Sequence, residues 1–274
     1  MSALPSPNSN PFAADVAEGL SADPKRVDPR YLYDQAGTAL FETASLLPEF
    51  GTARAEERLR RRYSAELARL TCSATRAGDL KTGSARVSDD WLRNALQLVA
   101  DRENGQPLLF TLLGSSIGAL DRSSFFHFLE DLRQLLKPGD FLVFDVDLVK
   151  DIEKMVSAYD DSAGIAAAFN RNLLCRINRQ LRGRFNVRAF DHAVTWNTLG
   201  RCIELQLVAS EAQEIYIGEL GRRFVFAKGE SIRTLCDYKY SERELEELAD
   251  STGFHSVKTW IDIEWAFAQL LWAA

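Results

Sequence analysis

Residues 108–147 read LLFTLLGSSIGALDRSSFFHFLEDLRQLLKPGDFLVFDVD. LLFTLL, Leu108 to Leu113, is a continuous apolar run of strand length, and it breaks at once into the turn Gly114-Ser115-Ser116-Ile117-Gly118. From Asp121 to about Leu136 apolar residues recur at helical spacing, with Phe125, Phe128, Leu129, Leu132 and Leu136 on one face. Pro138-Gly139-Asp140 is a turn, and FLVFDVD, Phe141 to Asp147, is a second buried strand. Strand, helix, strand, with both strands apolar throughout, is the pattern of a parallel sheet covered on both faces. The fold class that follows is α/β. Taken alone, a strand ending in GSSIG fits a plain tight turn as well as a ligand-binding one.

Downstream, helical spacing covers about Lys150 to Ala158 and Gly164 to Leu181. The chain then changes to CIELQLVAS, EIYIG and RFVFAKGE, short strands with turn signals between them, which predicts antiparallel pairing. Ser241 to Thr252 is a helix with a capping box of Ser241 and Glu244, closed by Gly253. VKTWID and AFAQLLWAA complete the sheet. Upstream, Trp91 to Ala100 is helical, and a helix from Thr52 sets Leu59, Tyr63, Leu67 and Leu70 on one face. Between them TCSATRAGDLKTGSARVSDD, Thr71 to Asp90, offers almost no apolar periodicity and reads as a long polar loop. VDPRYLYDQAGTALFETASLLPEF predicts short packed helices, and MSALPSPNSNPFAAD a disordered tail without the pattern of a signal peptide.

A chain of 274 residues with 46% hydrophobic residues suits one large domain or two modest ones. A formal charge of −6 without a basic stripe gives no reason to expect nucleic acid as a partner. The densest basic run, Arg58, Arg60, Arg61 and Arg62, is interleaved with Glu56, Glu57 and Glu66 and reads as a solvated helix face. Cys72, Cys175, Cys202 and Cys236 show no metal-ligand or CxxC spacing, and His127, His192 and His255 are scattered. Free thiols in a reducing cytoplasm and no metal site are the expectation. No apolar stretch has the length to span a membrane.

Four stretches in order, LLGSSIGAL, PGDFLVFDVDLVKD, SAYDDSAGIAAAFNRNLLCRINRQL and FAKGESIRTLCDYKY, resemble the histidine Nα-methyltransferases of ergothioneine biosynthesis. YLYDQAGTALFETASLLPEF near the start is similar to the opening motif of the same family, so the likeness covers most of the chain outside about 52–105. It implies a Rossmann-like domain that binds S-adenosylmethionine (SAM), and a second domain that grips the amino acid. The fold expected is a truncated Rossmann-like methyltransferase sheet with an antiparallel β-rich substrate-domain insertion. The divisions are 1–20 (tail), 21–70 (helical substrate part), 71–90 (polar loop), 91–160 (truncated core), 161–240 (insertion) and 241–274 (completing the core).

The resemblance also marks departures. The family carries an acidic residue and a glycine turn of ELGSG type after its first strand, and an acid after its second. Here GDLKTGS supplies glycines, but no apolar strand run precedes it. VSDDWL, Val87 to Leu92, resembles the stretch before the family's fourth strand, which places a deletion at about 71–86. The implied result is that SAM binding is lost and that no cofactor is used. Ala119 stands where the family has an asparagine for the substrate's amino group, and Phe50 and Gly51 where it has paired tyrosines. Leu235 and Asp237 stand where a glutamate and a serine hold the imidazole.

By resemblance, Tyr33, Phe50, Arg54, Gly114, Ser115, Asn170 and Lys239 are expected to bind substrate. Asp237 and Tyr159 are the catalytic candidates, as proton acceptor or amine orienter. Asp237 fits a surface position at a strand end equally well. With neighbouring strands deleted, 108–113 becomes an uncovered apolar edge. Refolded residues 71–105, a second copy or a different chain would cover it, and a partner chain (hetero-oligomer or homodimer) is the expectation.

The function expected is a SAM-independent, methyltransferase-like subunit of natural-product biosynthesis. It would orient the amine of an amino-acid-derived small molecule for intramolecular ring closure. Two alternatives stand beside it: a SAM-dependent amino-acid N-methyltransferase completed by a partner chain, and a non-catalytic subunit.

Overall fold

The structure is a computed structural model that describes residues 10–74, 76–80, 88–103 and 105–274. In chain order the helices are α1 (Pro11–Ser21), α2 (Gln35–Ser45), α3 (Thr52–Leu70), α4 (Ser88–Ala100), α5 (Arg122–Leu135), α6 (Ile152–Ser157), α7 (Ile165–Leu181) and α8 (Glu242–Thr252). The strands are β1 (Lys25–Arg26), β2 (Arg76–Asp79), β3 (Leu108–Leu112), β4 (Phe141–Asp147), β5 (Phe190–Asn197), β6 (Cys202–Ala209), β7 (Gln213–Ile217), β8 (Arg222–Phe226), β9 (Ser231–Tyr238), β10 (His255–Asp262) and β11 (Phe267–Ala273). They sort into two compact units. One comprises Met1–Phe50, Glu153–Asn197 and Ile203–Cys236; the other comprises Gly51–Ile152, Thr198–Cys202 and Asp237–Ala274. The segment 21–70, expected to stay together, is divided between them, with α3 in the second.

The second unit is built on the quoted stretch. Its sheet runs β10-β11-β4-β3-β2, with β2, β3 and β4 parallel and β11 antiparallel to both β4 and β10. Phe110, Leu112, Phe144 and Trp272 of the sheet close a core with Trp91 of α4 and Phe125, Phe128 and Leu129 of α5. Asp121 starts α5 by accepting the Ser124 N–H at 2.8 Å. The capping box of Ser241 and Glu244 starts α8, and Gly253 at φ 76° ends it. α3 forms as expected, but of its chain only Ala55 and Leu59 are buried and Leu70 is exposed. It lies against β10 and β11, where Tyr63 stacks on Trp260 and Glu66 accepts the Trp260 ring N–H at 2.8 Å.

Two expectations change here. Within the polar stretch 71–90, Arg76–Asp79 is a strand paired in parallel with β3, from Arg76 opposite Leu108 to Asp79 opposite Thr111. The Leu80 N–H extends the pairing to the Thr111 carbonyl at 2.9 Å. The stretch 108–113 is therefore not an open edge awaiting a partner chain. β2 flanks it on one side and β4 on the other. The backbone of β3 finds its partners within the chain, which removes the physical ground for that partner.

The first unit holds the antiparallel-rich portion. A four-stranded sheet runs β1-β9-β6-β5, and β7 and β8 form a separate antiparallel pair. Its core joins Phe12 and Val16 of α1, Phe169, Leu173 and Ile177 of α7, and Ile203, Leu205, Leu207 and Ile232 of the sheet. Among the described residues no helix is long and apolar enough to cross a membrane.

Candidate functional site

In open α/β sheets, ligands bind outside the carboxyl ends of the parallel strands. In the second unit those ends belong to β2, β3 and β4. The chain leaves β3 through Gly114 at φ 74° and Ser115 at φ 54°, two successive left-handed residues of which only the first is a glycine. The end of β4 straps this turn down. The Gly114 N–H donates to Asp145 Oδ2 at 2.9 Å, and the Asp147 N–H donates to Ser115 Oγ at 2.9 Å. The other oxygen of Asp145 accepts from Gln269 Nε2 at 2.9 Å.

Asp147 is the centre of a buried ionic cluster. Its carboxylate takes Lys150 on one oxygen and Lys239 on the other, the latter at 2.8 Å. Lys239, fully buried, also reaches Asp237 at 2.8 Å. Burial alone would push Asp147 upward, but the ammonium groups of Lys239 and Lys150 outweigh it and hold the acid below the usual carboxylate range. Burial pushes Lys150 down to about 8, against the pull of Asp147. Asp237 is the most open member, its side chain 19% exposed. Its Oδ1 lies so close to Gly118 that a Cβ there would sit 2.0 Å away, which makes glycine a requirement of this approach. Arg122 braces the same strand end from below, donating to the Lys239 carbonyl at 3.0 Å and to Glu244 at 2.9 Å.

Of the residues singled out from the sequence, Gly114, Ser115, Asp237 and Lys239 therefore gather in the second unit, while Arg54 stands exposed on the first turn of α3. Asp147 and Lys150 were missed. Their signal was present, since an apolar run interrupted by acids at alternate positions, Asp145 and Asp147, is not a plain buried strand.

Tyr33, Phe50 and Tyr159 gather in the first unit, in an aromatic cluster with Phe41 and Phe169. Tyr33 lies 5.4 Å from Phe41 and 5.2 Å from Phe169, and Phe50 lies 6.0 Å from Tyr159. Asn170 follows Phe169 and is fully buried. Its amide nitrogen donates to His192 Nδ1 at 2.9 Å and to the Gln206 carbonyl at 3.1 Å, and its oxygen accepts from Thr234 at 2.5 Å. His192 Nε2 donates to the Tyr159 carbonyl at 2.9 Å. An amide donor on one ring nitrogen and a carbonyl acceptor on the other require the neutral imidazole with its proton on Nε2. Burial holds its pKa below the usual histidine value. His192, another residue missed from the sequence, thus fixes Asn170 and the backbone of Tyr159 together.

The parallel strands, the glycine–serine turn and the mixed sheet give a Rossmann-like α/β fold of methyltransferase type. The sequence matches the family described as histidine-specific methyltransferase, SAM-dependent, over residues 12–97 and 85–274, and the chain belongs to that family. It is 32% identical to a histidine N-alpha-methyltransferase of Mycobacterium tuberculosis over 290 positions, covering 90% of each chain. A histidine N-alpha-methyltransferase of Mycolicibacterium smegmatis is 33% identical over 291 positions, again covering 90% of each. Ergothioneine biosynthesis protein 1 of Neurospora crassa is 28% identical over 178 positions, covering 62% of this chain and 18% of that protein. Both mycobacterial alignments exceed the 274 residues of this chain, so those relatives carry positions without a counterpart here.

These findings correct the expected function. The family is one of SAM-dependent enzymes, which overturns the SAM-independent ring closure and the absence of a cofactor and lends no support to the non-catalytic reading. The structure supplies a physical reason for the error. A strand does run into GDLKTGS: β2 includes Gly78 and ends in Asp79, an acid at the carboxyl end of a strand beside β3. Asp79 and the Gly114 turn fit the place of a cofactor bound across these strand ends. The segment 81–87, with the remaining glycine, lies outside the described residues.

Proposed function

We propose that this protein is a SAM-dependent N-methyltransferase acting on the α-amino group of an amino acid. The observation that carries the reading is the match along 90% of the chain to histidine Nα-methyltransferases, joined to an ionic cluster at the carboxyl ends of the parallel strands. When bound, SAM supplies a sulfonium-activated methyl group, and Asp79, Gly114 and Ser115 are the residues we assign to its place. Asp237, the most open acid of the cluster and the ion-pair partner of Lys239, receives the substrate's ammonium. The amine must shed a proton before its lone pair can form the new carbon–nitrogen bond, and Asp237 is the acceptor we assign. Leu235 stands where the resemblance places a partner of the imidazole, so the preferred amino acid differs from histidine in its side chain.

Calorimetry with SAM, and mass spectrometry of histidine and a panel of amino acids incubated with protein and SAM, test this. A saturable heat and a gain of one methyl mass on at least one α-amino acid are expected. No heat at millimolar SAM together with no methylated product sinks the proposal.

A further inference from the structure

Gly51 precedes α3, and its place is tightly bounded. A Cβ there would lie 2.1 Å from Cε3 and 2.3 Å from Cδ2 of Trp265, so no side chain at 51 is compatible with the indole where it stands. Trp265 sits in the turn between β10 and β11, 7% exposed. Its ring N–H donates to Thr52 Oγ1 at 3.2 Å, and its backbone N–H donates to Asp262 Oδ1 at 2.8 Å. The Lys150 ammonium lies 4.9 Å from the indole centroid. Trp265 thus fills the space that a ring at 51 would claim, and spends it on sealing a lysine from water.

We propose that Trp265 and Lys150 are positioning residues for Asp237, acting through Asp147 and Lys239, and that the glycine at 51 is what admits them. The inference rests on the reading of Asp237 as the ammonium acceptor.

The groups facing Lys150 are Asp147 of β4, then Lys239 just past the end of β9 and Asp237 near that end within it. The carboxylates of the turn that bears Trp265 are directed elsewhere, with Asp262 and Glu264 both paired to Arg58. Two lysines therefore share Asp147. While Lys150 is charged, Asp147 divides its attraction, and Lys239 leans on Asp237 and masks it. When Lys150 loses its proton, Asp147 draws Lys239 to itself, and the Asp237 carboxylate is released toward a substrate cation. Trp265 acts in two opposed ways. It keeps water off the ammonium, an effect that reaches several pKa units for buried groups, and it attracts the cation by roughly a unit's worth. Exclusion of water is the larger, so loss of the indole favours the charged lysine.

The test is side-chain NMR titration of protein labelled at lysine Nζ and Cε, with Lys150 assigned through Lys150→Arg. Lys150 is expected to titrate near 8, and the Lys239 resonance to step at the same pH. Trp265→Ala and Gly51→Ala should both move that midpoint up toward the ordinary lysine range, and Trp265→Phe should move it less. Trp265→Phe also keeps the test open if the alanine variants fold poorly. A Lys150 midpoint already in the ordinary range, a midpoint that Trp265→Ala and Gly51→Ala leave in place, or a Lys239 signal blind to Lys150 overturns the proposal. No methyl donor is present, so this failure is distinct from a failure of methyl transfer.

Discussion

Arg102 and Asp140 form a two-pronged ion pair closed to water, with Nη1 on Oδ1 at 2.9 Å, Nη2 on Oδ2 at 2.5 Å, and side chains 5% and 0% exposed. The same carboxylate accepts the backbone N–H of Leu108 at 2.8 Å and of Lys137 at 3.0 Å. One acid thereby joins the first residue of β3 to the turn that enters β4, and so sets the stagger of the two strands whose far ends carry the site. Removing the guanidinium alone strands a buried charge, which costs about 3–5 kcal/mol. Arg102→Ala should lower the free energy of unfolding in urea by that amount. A loss of under about 1 kcal/mol would show that water reaches Asp140.

The neutral state of His192 makes part of the stability depend on pH. Its folded pKa lies below the unfolded value of about 6.5, because burial disfavours the charged ring. The unfolded chain then binds the proton more tightly than the folded one, so stability rises with pH across this window. The His192 contribution is fully present above about 6.5 and is lost as pH falls through the folded value. Urea midpoints measured from pH 7.5 downward should fall more steeply for the parent protein than for His192→Gln. Parallel curves for the two would remove the histidine from the explanation.

How far the sequence reveals this molecule depends on what holds each part. β3, α5 and β4 carry their own instructions, as apolar runs and a helical stripe closed by Pro138 and Gly139, and α8 announces itself through Ser241 and Glu244. β2 carries almost none. Arg76, Ala77, Gly78 and Asp79 have low strand propensity and little burial, and pairing with β3 makes them a strand. Lys239 and Asp237 were legible only through family resemblance, and their link to Asp147 is a matter of folding, not spacing. Trp265 lies more than two hundred residues from Gly51, and nothing local to either names the other.

Since β2 is held by pairing, it should be sensitive to one contact beneath it. A Cβ at Gly78 would lie 2.7 Å from Cδ2 of Leu98 on α4. Gly78→Val adds a branched side chain at that point, at a cost of about 1–3 kcal/mol if the strand stays in place. If the strand lifts instead, β3 is left with unpaired backbone and apolar faces, and self-association follows. Light scattering should show concentration-dependent oligomers in Gly78→Val beyond those of the parent protein. Identical profiles and identical unfolding midpoints would show that β2 contributes nothing to covering β3.

Gly118→Ala isolates the position of Asp237 from the fold around it. The added Cβ would stand 2.0 Å from Asp237 Oδ1 and 3.2 Å from its Cγ, with the Tyr238 carbonyl at 3.3 Å. The carboxylate is the end of a mobile side chain, so it swings aside and gives up its place beside Lys239, while β3, β4 and α5 need not move. Misplacing one orienting group by about an ångström costs on the order of 100-fold in rate. Methyl transfer should therefore fall about 100-fold in Gly118→Ala, with an unfolding midpoint close to that of the parent. The companion Asp237→Ala background separates the two explanations, because residues in contact show coupled effects. With the carboxylate already gone, Gly118→Ala has nothing to displace and should cost little more. A full additional loss in that background would mean that Gly118 serves the turn itself, and that the proximity to Asp237 is incidental.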